Sequence, residues 1–473
     1  MGLKNIIKKS VVGGLTGLLM SSCVPKDNNN SNTSNYNKPN VIVIIPDDLG
    51  WADVGYNGSH IETPNIDKLA EEGVRFNNFV VHPWCSPTRA EFYTGHFPGS
   101  WAYRTPNFNG MEGTGIPEGE YTIAERFRDA GYSTALIGKW HMGTQPEFHP
   151  NEHGFDYFYG HLGGYIGFYI KKAIDGNHDW WKNKEEIYNS RYATNLLGEE
   201  ASRYIRERDK SKPFFMTLAF NAPHFPQQAP EDVIEKYRNS TFCRFFSNRC
   251  GYMAQVDVMD QEIGLVLDTL DDEGIRENTL TMFFSDNGGS NAFGGYNSPF
   301  PGEKGEILKG GVQVAAFANW PGVINSGIIS DQRIHTSDLF ATLEAAVGLR
   351  IRAPAHESTN MWPQFNGGAR ISRNPALLEN LASDTAREFY DSGNTSRLWR
   401  GVLTDNWRLT ISNYEGVCNI NLFDVNDPLE RDNMSLVHPE VVDELIDELQ
   451  KLEKGLKNDI SHWNKKNGVC LEN

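Results

Sequence analysis

The stretch NVIVIIPDD, residues 40–48, decides the fold class. Its aliphatic residues 41–45 are consecutive, and a continuous run of this kind is typical of a strand buried on both faces of a parallel sheet. Three similar apolar runs follow at residues 133–137, 214–220 and 279–284. Because helical patterns lie between these runs, the sequence predicts an α/β fold, with a large, mostly parallel sheet sandwiched by helices.

The C-terminal part of the chain has a different pattern. Residues 398–412 and 416–425 predict short antiparallel strands, and residues 439–456 predict an amphipathic helix. We therefore expect a catalytic domain over residues 40–375 and a small α+β subdomain over residues 376–473.

The N-terminal part resembles an export segment. A lysine-rich start precedes an apolar stretch at residues 11–20, which is too short to span a bilayer, so residues 1–22 predict a signal peptide. Residues 19–23, LMSSC, resemble a bacterial lipoprotein box, which would make Cys23 the lipidated first residue of the mature chain. A plain cleaved signal peptide is the alternative. The Asn- and Ser-rich remainder of residues 23–39 predicts a flexible, lipid-anchored tether, and the protein is expected in the periplasm or on the outer cell surface.

The net charge and the cysteine content argue against two classes of protein, nucleic-acid-binding proteins and disulfide scaffolds. The chain has 473 residues and a formal net charge of −17, which argues against a nucleic-acid partner but leaves room for a small basic pocket that binds an anion. Six cysteines are too few for a disulfide scaffold. Four of them could form disulfides in three pairings, with free buried thiols as the alternative: Cys243, Cys250, Cys418 and Cys470.

Polar clusters follow the apolar runs. In open α/β sheets, ligands bind beyond the carboxyl ends of the strands, which is where these clusters lie. Asp47 and Asp48 end the first run, and Asp286 and Asn287 end the last. Four hard oxygen ligands predict a calcium or magnesium site rather than a zinc site. The alternative is a helix cap and a turn, which are common uses of these residue types.

Three further residues at strand ends could carry proton or anion chemistry. Lys139 and His141 lie two apart after the second run, so both would face the same way in an extended segment. Lys139 could hold an anionic oxygen, and His141 could orient or deprotonate a nucleophile. His224, after the third run, could contact the anion or protonate a leaving oxygen. A lone histidine is more often structural, which is the alternative for each.

The segment Cys85-Ser86-Pro87-Thr88-Arg89, followed by Thr94-Gly95, matches the sulfatase signature. Together with other motifs in the family's order, it makes residues 41–457 resemble the type I sulfatases of the alkaline-phosphatase-like superfamily. The other motifs are PDDLG at 46–50, TPNID at 63–67, GKWH at 138–141, GFD at 154–156, DNG at 286–288, DNWRL at 405–409 and LFD at 422–424.

The resemblance implies a specific chemistry. A maturase acting on the unfolded chain would oxidise Cys85 to formylglycine, whose hydrate attacks the sulfur of a sulfate ester and then expels sulfate by re-forming the aldehyde. One calcium ion would be held by Asp47, Asp48, Cys85 in its modified form, Asp286 and Asn287. Roles around the nucleophile and the sulfate fall to Arg89, Lys139, His141, His224 and Lys304.

One region departs from the family. Where the family has an acid and an arginine after the Gly-x-Lys motif that contains Lys304, this chain has Lys309 and Gln313. Because both residues of what looks like a structural pair are changed together, the departure suggests a changed local network rather than lost catalysis. It leaves the geometry of Lys304 open.

Residues 154–160, GFDYFYG, resemble the arylsulfatase B branch, whose members remove 4-sulfates from galactosamine or galactose units. An exported bacterial member implies a sulfated polysaccharide, such as carrageenan, another algal galactan or a glycosaminoglycan. Residues that could stack on sugars or bind a second anion are Trp101, Tyr103, Arg104, His161, Tyr165, Trp180 and Trp181. Each could equally be an ordinary core or surface residue.

Two rival functions are considered. A phosphate or phosphonate monoester hydrolase could use the same superfold, although the several His or Asp ligands of its two-metal members are not found at these strand ends. A non-catalytic glycan-binding lipoprotein is the second rival, made plausible by Lys309 and Gln313.

Overall fold

The structure is a computed structural model that describes residues 38–97, 115–241, 243, 248–354, 357–380, 398–414 and 417–454. The predicted signal peptide, the tether with Cys23, and the candidates Trp101, Tyr103 and Arg104 lie outside these residues. Within the described part, every helix is too short or too polar to cross a bilayer. From Lys38 onwards the chain forms one compact unit.

The strands and helices follow one another along the chain. The strands are β1 (Asn40–Ile44), β2 (Val74–Phe76), β3 (Phe79–Val80), β4 (Ser133–Lys139), β5 (Tyr157–His161), β6 (Trp181–Lys182), β7 (Glu185–Glu186), β8 (Phe214–Ala219), β9 (Thr279–Phe284), β10 (Ala316–Asn319), β11 (Ile328–Ser330), β12 (Ile334–His335), β13 (Ala376–Asn380), β14 (Leu398–Leu403), β15 (Trp407–Tyr414) and β16 (Val417–Asp424). The α-helices are α1 (Pro64–Glu71), α2 (Cys85–Thr94), α3 (Ile123–Asp129), α4 (Ala193–Glu207), α5 (Glu231–Arg238), α6 (Arg249–Asp272), α7 (Lys309–Val312), α8 (Asp338–Ala346) and α9 (Pro439–Lys454).

The central sheet has ten strands in the order β11-β2-β10-β9-β1-β8-β4-β5-β6-β7. Strand β1 is parallel to both β8 and β9, and β4 is parallel to both β8 and β5. Strand β10 is antiparallel to its neighbours β9 and β2. The predicted α/β class with a mostly parallel sheet is confirmed, and the antiparallel β10 is an addition to it.

Both faces of the sheet are covered, as the aliphatic run of β1 predicts. Val41, Val43 and Ile45 belong to the hydrophobic core on one face. Ile42 and Ile44 belong to the core on the other face. The alternation follows from the two-residue period of a strand, and it explains why residues 41–45 are all apolar.

A separate four-stranded antiparallel sheet, β13-β14-β15-β16, lies near the end of the chain. Leu377, Val402 and Leu409 of this sheet pack with Leu445 and Leu449 of α9. These elements confirm the expected antiparallel strands and terminal helix. Residues 376–380 add the strand β13, which the sequence pattern did not predict.

Cys243 and Cys250 are joined in a disulfide. This is one of the pairs that the sequence left open. The side chain of Cys418 and the whole of Cys470 lie outside the described part of the chain.

Gly138, in β4, is a position where the fold requires glycine. Its φ is +117°, and a Cβ atom there would lie 1.8 Å from the carbonyl oxygen of Ala219 in β8. Gly131 has a similar φ of +89°, but a Cβ atom there would meet nothing within 4 Å. We expect Gly131→Ala to destabilise the fold by about 1–2 kcal/mol through backbone strain alone. Gly138→Ala should cost about 1–3 kcal/mol more, because the strands must also move apart.

Thermal unfolding of the two variants checks this expectation. The midpoint of Gly138→Ala should lie below that of Gly131→Ala, with less folded protein recovered. Equal midpoints would mean that β4 and β8 do not approach as closely as described.

Candidate active site

The polar clusters meet at one edge of the central sheet. Asp47 and Asp48 follow β1, Lys139 ends β4, His224 follows β8, and Asp286 follows β9. Since these four strands are mutually parallel, their carboxyl ends lie at the same edge. The site residues are buried, and they are separated by up to 239 positions in sequence.

Helix α2 brings Cys85 to this edge. The helix begins at Cys85, with Pro87 in its first turn, and ends at Thr94. Gly95 caps it, with a φ of +72° and an N–H that donates to the carbonyl of Glu91. All ten of its residues are buried. Burial raises the pKa of the Cys85 thiol to about 12, although Lys139 and Lys304 oppose the shift. The unmodified thiol is therefore neutral at pH 7.

Three buried ion pairs surround Cys85. The Nη2 and Nε atoms of Arg89 lie 2.7 and 2.9 Å from Oδ2 of Asp286. The Nζ of Lys139 lies 2.6 Å from Oδ2 of Asp47. The Nζ of Lys304 lies 2.6 and 2.8 Å from the two oxygens of Asp48. Three cations thus balance three carboxylates in a water-excluded site, where an unpaired charge would be costly.

The carboxylates differ in their affinity for protons. Burial alone would raise the pKa of Asp48, but the charges of Lys304 and His224 outweigh it and lower the pKa to about 2. Burial and the nearby carboxylate of Asp47 raise the pKa of Asp286 to about 6, against the opposing charge of Arg89.

The donor atoms fit a hard divalent cation. One ligand atom from each of Asp47, Asp48, Cys85 and His224 lies within 4.8 Å of the others. Oδ1 of Asp47 and Oδ1 of Asn287 are buried and have no hydrogen-bond partner among the described residues. The amide nitrogen of Asn287 donates to Oδ1 of Asp48 at 2.8 Å, which leaves its oxygen available as a ligand. Oxygen donors of this kind are typical of calcium and magnesium sites.

His224 lies at the site, and His141 follows β4, two residues after Lys139. Nδ1 of His224 lies 2.8 Å from the carbonyl oxygen of Phe225, so this nitrogen carries the proton, and Nε2 lies 3.7 Å from Oδ2 of Asp48. His141 has a φ of +61°, a conformation uncommon for a residue with a side chain. A Cβ atom at Gly164 would lie 2.3 Å from Nε2 of His141, so the ring packs directly against this glycine and would have to shift for a larger residue.

Comparison with known proteins agrees with this geometry. The model of the sulfatase family matches residues 39–349. The chain belongs to the sulfatase family. Members of that family are sulfuric ester hydrolases.

Individual relatives are similar over most of the described chain. Arylsulfatase J of Mus musculus is 31% identical over 350 residues, which are 72% of this chain and 58% of that protein. N-acetylgalactosamine-6-sulfatase of Homo sapiens is 34% identical over 360 residues, which are 71% of this chain and 67% of that protein. The chain therefore spans about three fifths to two thirds of the length of these relatives.

Solved structures extend the similarity. The crystal structure of Ps i-CgsB in complex with k-i-k-neocarrahexaose has a TM-score of 0.79 and 29% sequence identity. The similarity covers 89% of this chain and 94% of that one, so it includes the C-terminal sheet as well as the family domain.

The candidates for sugar binding are placed differently from one another. Tyr165 is half-buried, and its ring lies 6.4 Å from that of His224, so it can border the sulfatase site. His161 is 1% exposed and stacks on the fully buried Trp180. His161 therefore lies inside the site beside Lys139 rather than on its rim, and Trp180 is a core residue. Trp181 is half-buried, and its indole N–H donates to Asp179.

Two residues near the site were not singled out from the sequence. Asn221, at the end of β8, is buried, and neither amide atom has a hydrogen-bond partner among the described residues. Its place in the segment before His224 was the available signal. The ammonium of Lys304 lies 5.8 Å from the ring centroid of Trp84. Residue 84 directly precedes the signature, but its sequence position alone does not predict this cation–π contact.

The residues that depart from the family make structural contacts. Nζ of Lys309 donates to the carbonyls of Val425 and Asp427 at 2.8 and 2.6 Å, which ties α7 to the segment after β16. Gln313 donates to the carbonyl of Asn77 at 2.6 Å. Lys304 keeps its contact with Asp48 beside this changed network.

Lys309→Met is therefore expected to lower stability while leaving catalysis nearly intact. Two partly buried carbonyls would lose a charged donor, a loss of about 1–3 kcal/mol. Thermal unfolding measures the loss, and kcat with a soluble aryl sulfate measures catalysis. A large fall in kcat with unchanged stability would instead give Lys309 a role in the reaction.

Proposed function

We propose that the protein hydrolyses sulfate esters of a sulfated glycan, with Cys85 as the precursor of the nucleophile. The placement of Cys85 carries the proposal. It lies at the first turn of a buried helix, where its sulfur is within 4.8 Å of ligand atoms of Asp47, Asp48 and His224. The positive end of the helix dipole favours an anion at this point.

Two groups are implied by family membership. Formylglycine at residue 85 supplies, as its hydrate, an oxygen nucleophile together with a second hydroxyl for release of the sulfate. Calcium supplies a Lewis acid, and Asp47, Asp48, Asp286 and Asn287 are the residues that would hold it.

The charges of the site suit an anionic substrate. Arg89, Lys139 and Lys304 together balance the three aspartates. Two further positive charges from a divalent cation would make the site net positive. The ammonium groups of Lys139 and Lys304 could then bind sulfate oxygens, while Arg89 holds Asp286 in place.

Two histidines can handle the protons. His224 is held by the carbonyl of Phe225 through Nδ1, so its Nε2 faces the site and can exchange a proton with the leaving oxygen. His141, close to Gly164, is the candidate to orient or deprotonate the nucleophile.

Among sulfated glycans we propose a galactan or galactosaminoglycan. Support comes from Ps i-CgsB, which was solved with a neocarrahexaose, and from the N-acetylgalactosamine-6-sulfatases. The candidates are carrageenan or another algal galactan 4-sulfate and N-acetylgalactosamine 4-sulfate. The similarity to N-acetylgalactosamine-6-sulfatases adds a 6-sulfate to the 4-sulfate that the sequence predicts as the substrate group.

Sulfate release from defined oligosaccharides tests this proposal. Protein co-expressed with a maturase would be incubated with sulfated carrageenan oligosaccharides and with chondroitin 4- and 6-sulfate fragments. Release from one of these classes is the expected result, and protein made without the maturase is the matched control. Confirmed aldehyde with no release from any of them would contradict the proposed substrate class.

We also propose export and lipidation at Cys23, on the strength of the LMSSC segment. A labelled fatty acid fed to a bacterial host should appear in the protein and disappear in Cys23→Ala. Export of an unlabelled wild-type chain would mean a plain signal peptide.

A further inference from the structure

A second cluster of side chains that could bind a metal includes a residue of α2, the helix that begins at Cys85. We name His82, Glu91 and His335 the His–Glu–His cluster. They come from three elements: the segment before α2, α2 itself and β12. All three side chains are buried, and one ligand atom from each lies within 4.8 Å of the others.

The polar atoms of this cluster are poorly satisfied by hydrogen bonds. Nε2 of His82 lies 3.5 Å from Oε1 of Glu91. Nδ1 of His335 lies 3.1 Å from Oε2 of Glu91 and 3.4 Å from Oγ of Ser337. Apart from these contacts within the cluster, Nε2 of His82 and both carboxylate oxygens have no hydrogen-bond partner among the described residues. Buried polar atoms without partners are rare and costly, which indicates that something else satisfies them.

The spacing of the atoms is that of ligands around one small metal ion. Zinc binds imidazole nitrogen at about 2.0–2.1 Å and carboxylate oxygen at about 2.0–2.2 Å, so neighbouring ligand atoms in a tetrahedral site lie about 3.3 Å apart. The two observed separations, 3.5 and 3.1 Å, bracket that value. Both oxygens of Glu91 are available, so three residues offer four donor atoms.

We propose that the His–Glu–His cluster is a structural site for a divalent transition metal such as Zn²⁺. Imidazole ligands select zinc over calcium, so this site would take a different ion from the one that Asp47, Asp48, Asp286 and Asn287 would hold through oxygen atoms.

A metal bound at this site would hold α2, and with it Cys85, in place. Glu91 lies two residues after Arg89, and His82 lies three residues before Cys85. A metal bound by all three residues would fix both ends of the signature segment to β12. A proton shared between Glu91 and one imidazole is the competing arrangement, and it predicts no metal binding.

The test uses the intact protein and needs no substrate. Metal-free protein would be dialysed against Zn²⁺ and Ca²⁺, and bound metals measured by mass spectrometry. We expect about one Zn²⁺ per chain in the wild type and in Asp286→Asn. Glu91→Gln and His82→Gln should bind zinc at least about tenfold more weakly, and His178→Gln, which changes a histidine outside the cluster, should bind it normally.

Co²⁺ absorption keeps the test decisive if the variants do not fold. Wild-type protein loaded with Co²⁺ should show the intense visible bands of a four-coordinate nitrogen and oxygen site, displaced by Zn²⁺. Folded wild type that binds no Zn²⁺ and shows no such bands would overturn the proposal in favour of the shared proton. Zinc retained by both folded cluster variants would overturn it as well.

Discussion

Cys85→Ala is expected to reduce sulfate release by at least about 10⁴-fold, with little change in stability or glycan binding. Residue 85 is the proposed precursor of the nucleophile, and loss of a nucleophile removes the covalent route rather than one contact among many. The substitution removes only one sulfur atom from a buried position, so the fold should survive it. The measurement is kcat/KM, combined with the thermal unfolding midpoint and oligosaccharide affinity.

The wild-type chain made without a maturase is the matched control for this variant. It keeps the Cys85 side chain but has no aldehyde, so it should be as inactive as Cys85→Ala. Turnover by Cys85→Ala near the wild-type rate would place the nucleophile elsewhere.

Asp47→Asn should have the second largest effect. It should lower kcat/KM at least about 100-fold, because it removes the negative charge of a proposed calcium ligand. The substitution keeps the shape of the side chain but also leaves the ammonium of Lys139 without its partner at 2.6 Å. The calcium concentration needed for half-maximal activity should rise, or added calcium should no longer restore activity at all.

Calcium titration of chelator-treated enzyme measures this effect, with formylglycine content verified in each preparation. Asp129→Asn, at an exposed position on α3, is the control for the same chemical change outside the site. An unchanged calcium requirement in Asp47→Asn would remove Asp47 from the ligand set.

The sequence predicted the part of the fold that local patterns encode. The buried strands β1, β4, β8 and β9 were recognisable because each is rich in apolar residues, and their ends marked the site. Only three consecutive residues are apolar within β10 (AFAN) and within β13 (ALLEN), and such short apolar stretches resemble other buried segments.

Contacts between distant residues could not be predicted in this way. The pairing of Lys304 with Asp48 and the contact of Lys309 with Val425 depend on how loops meet in space. The His–Glu–His cluster shows the same limit, since His335 lies 244 positions after Glu91 by residue number, and neither residue is in a recognisable metal motif.

The central claim is that the site hydrolyses sulfate esters through a modified Cys85. Its most direct test compares kcat/KM for the sulfate, phosphate and phosphonate esters of one alcohol, with enzyme whose tryptic peptide 76–89 has the mass of the aldehyde form. We predict a clear preference for the sulfate ester, in proportion to aldehyde content across preparations. Preference for the phosphate or phosphonate ester, or turnover that does not depend on aldehyde content, would contradict the claim.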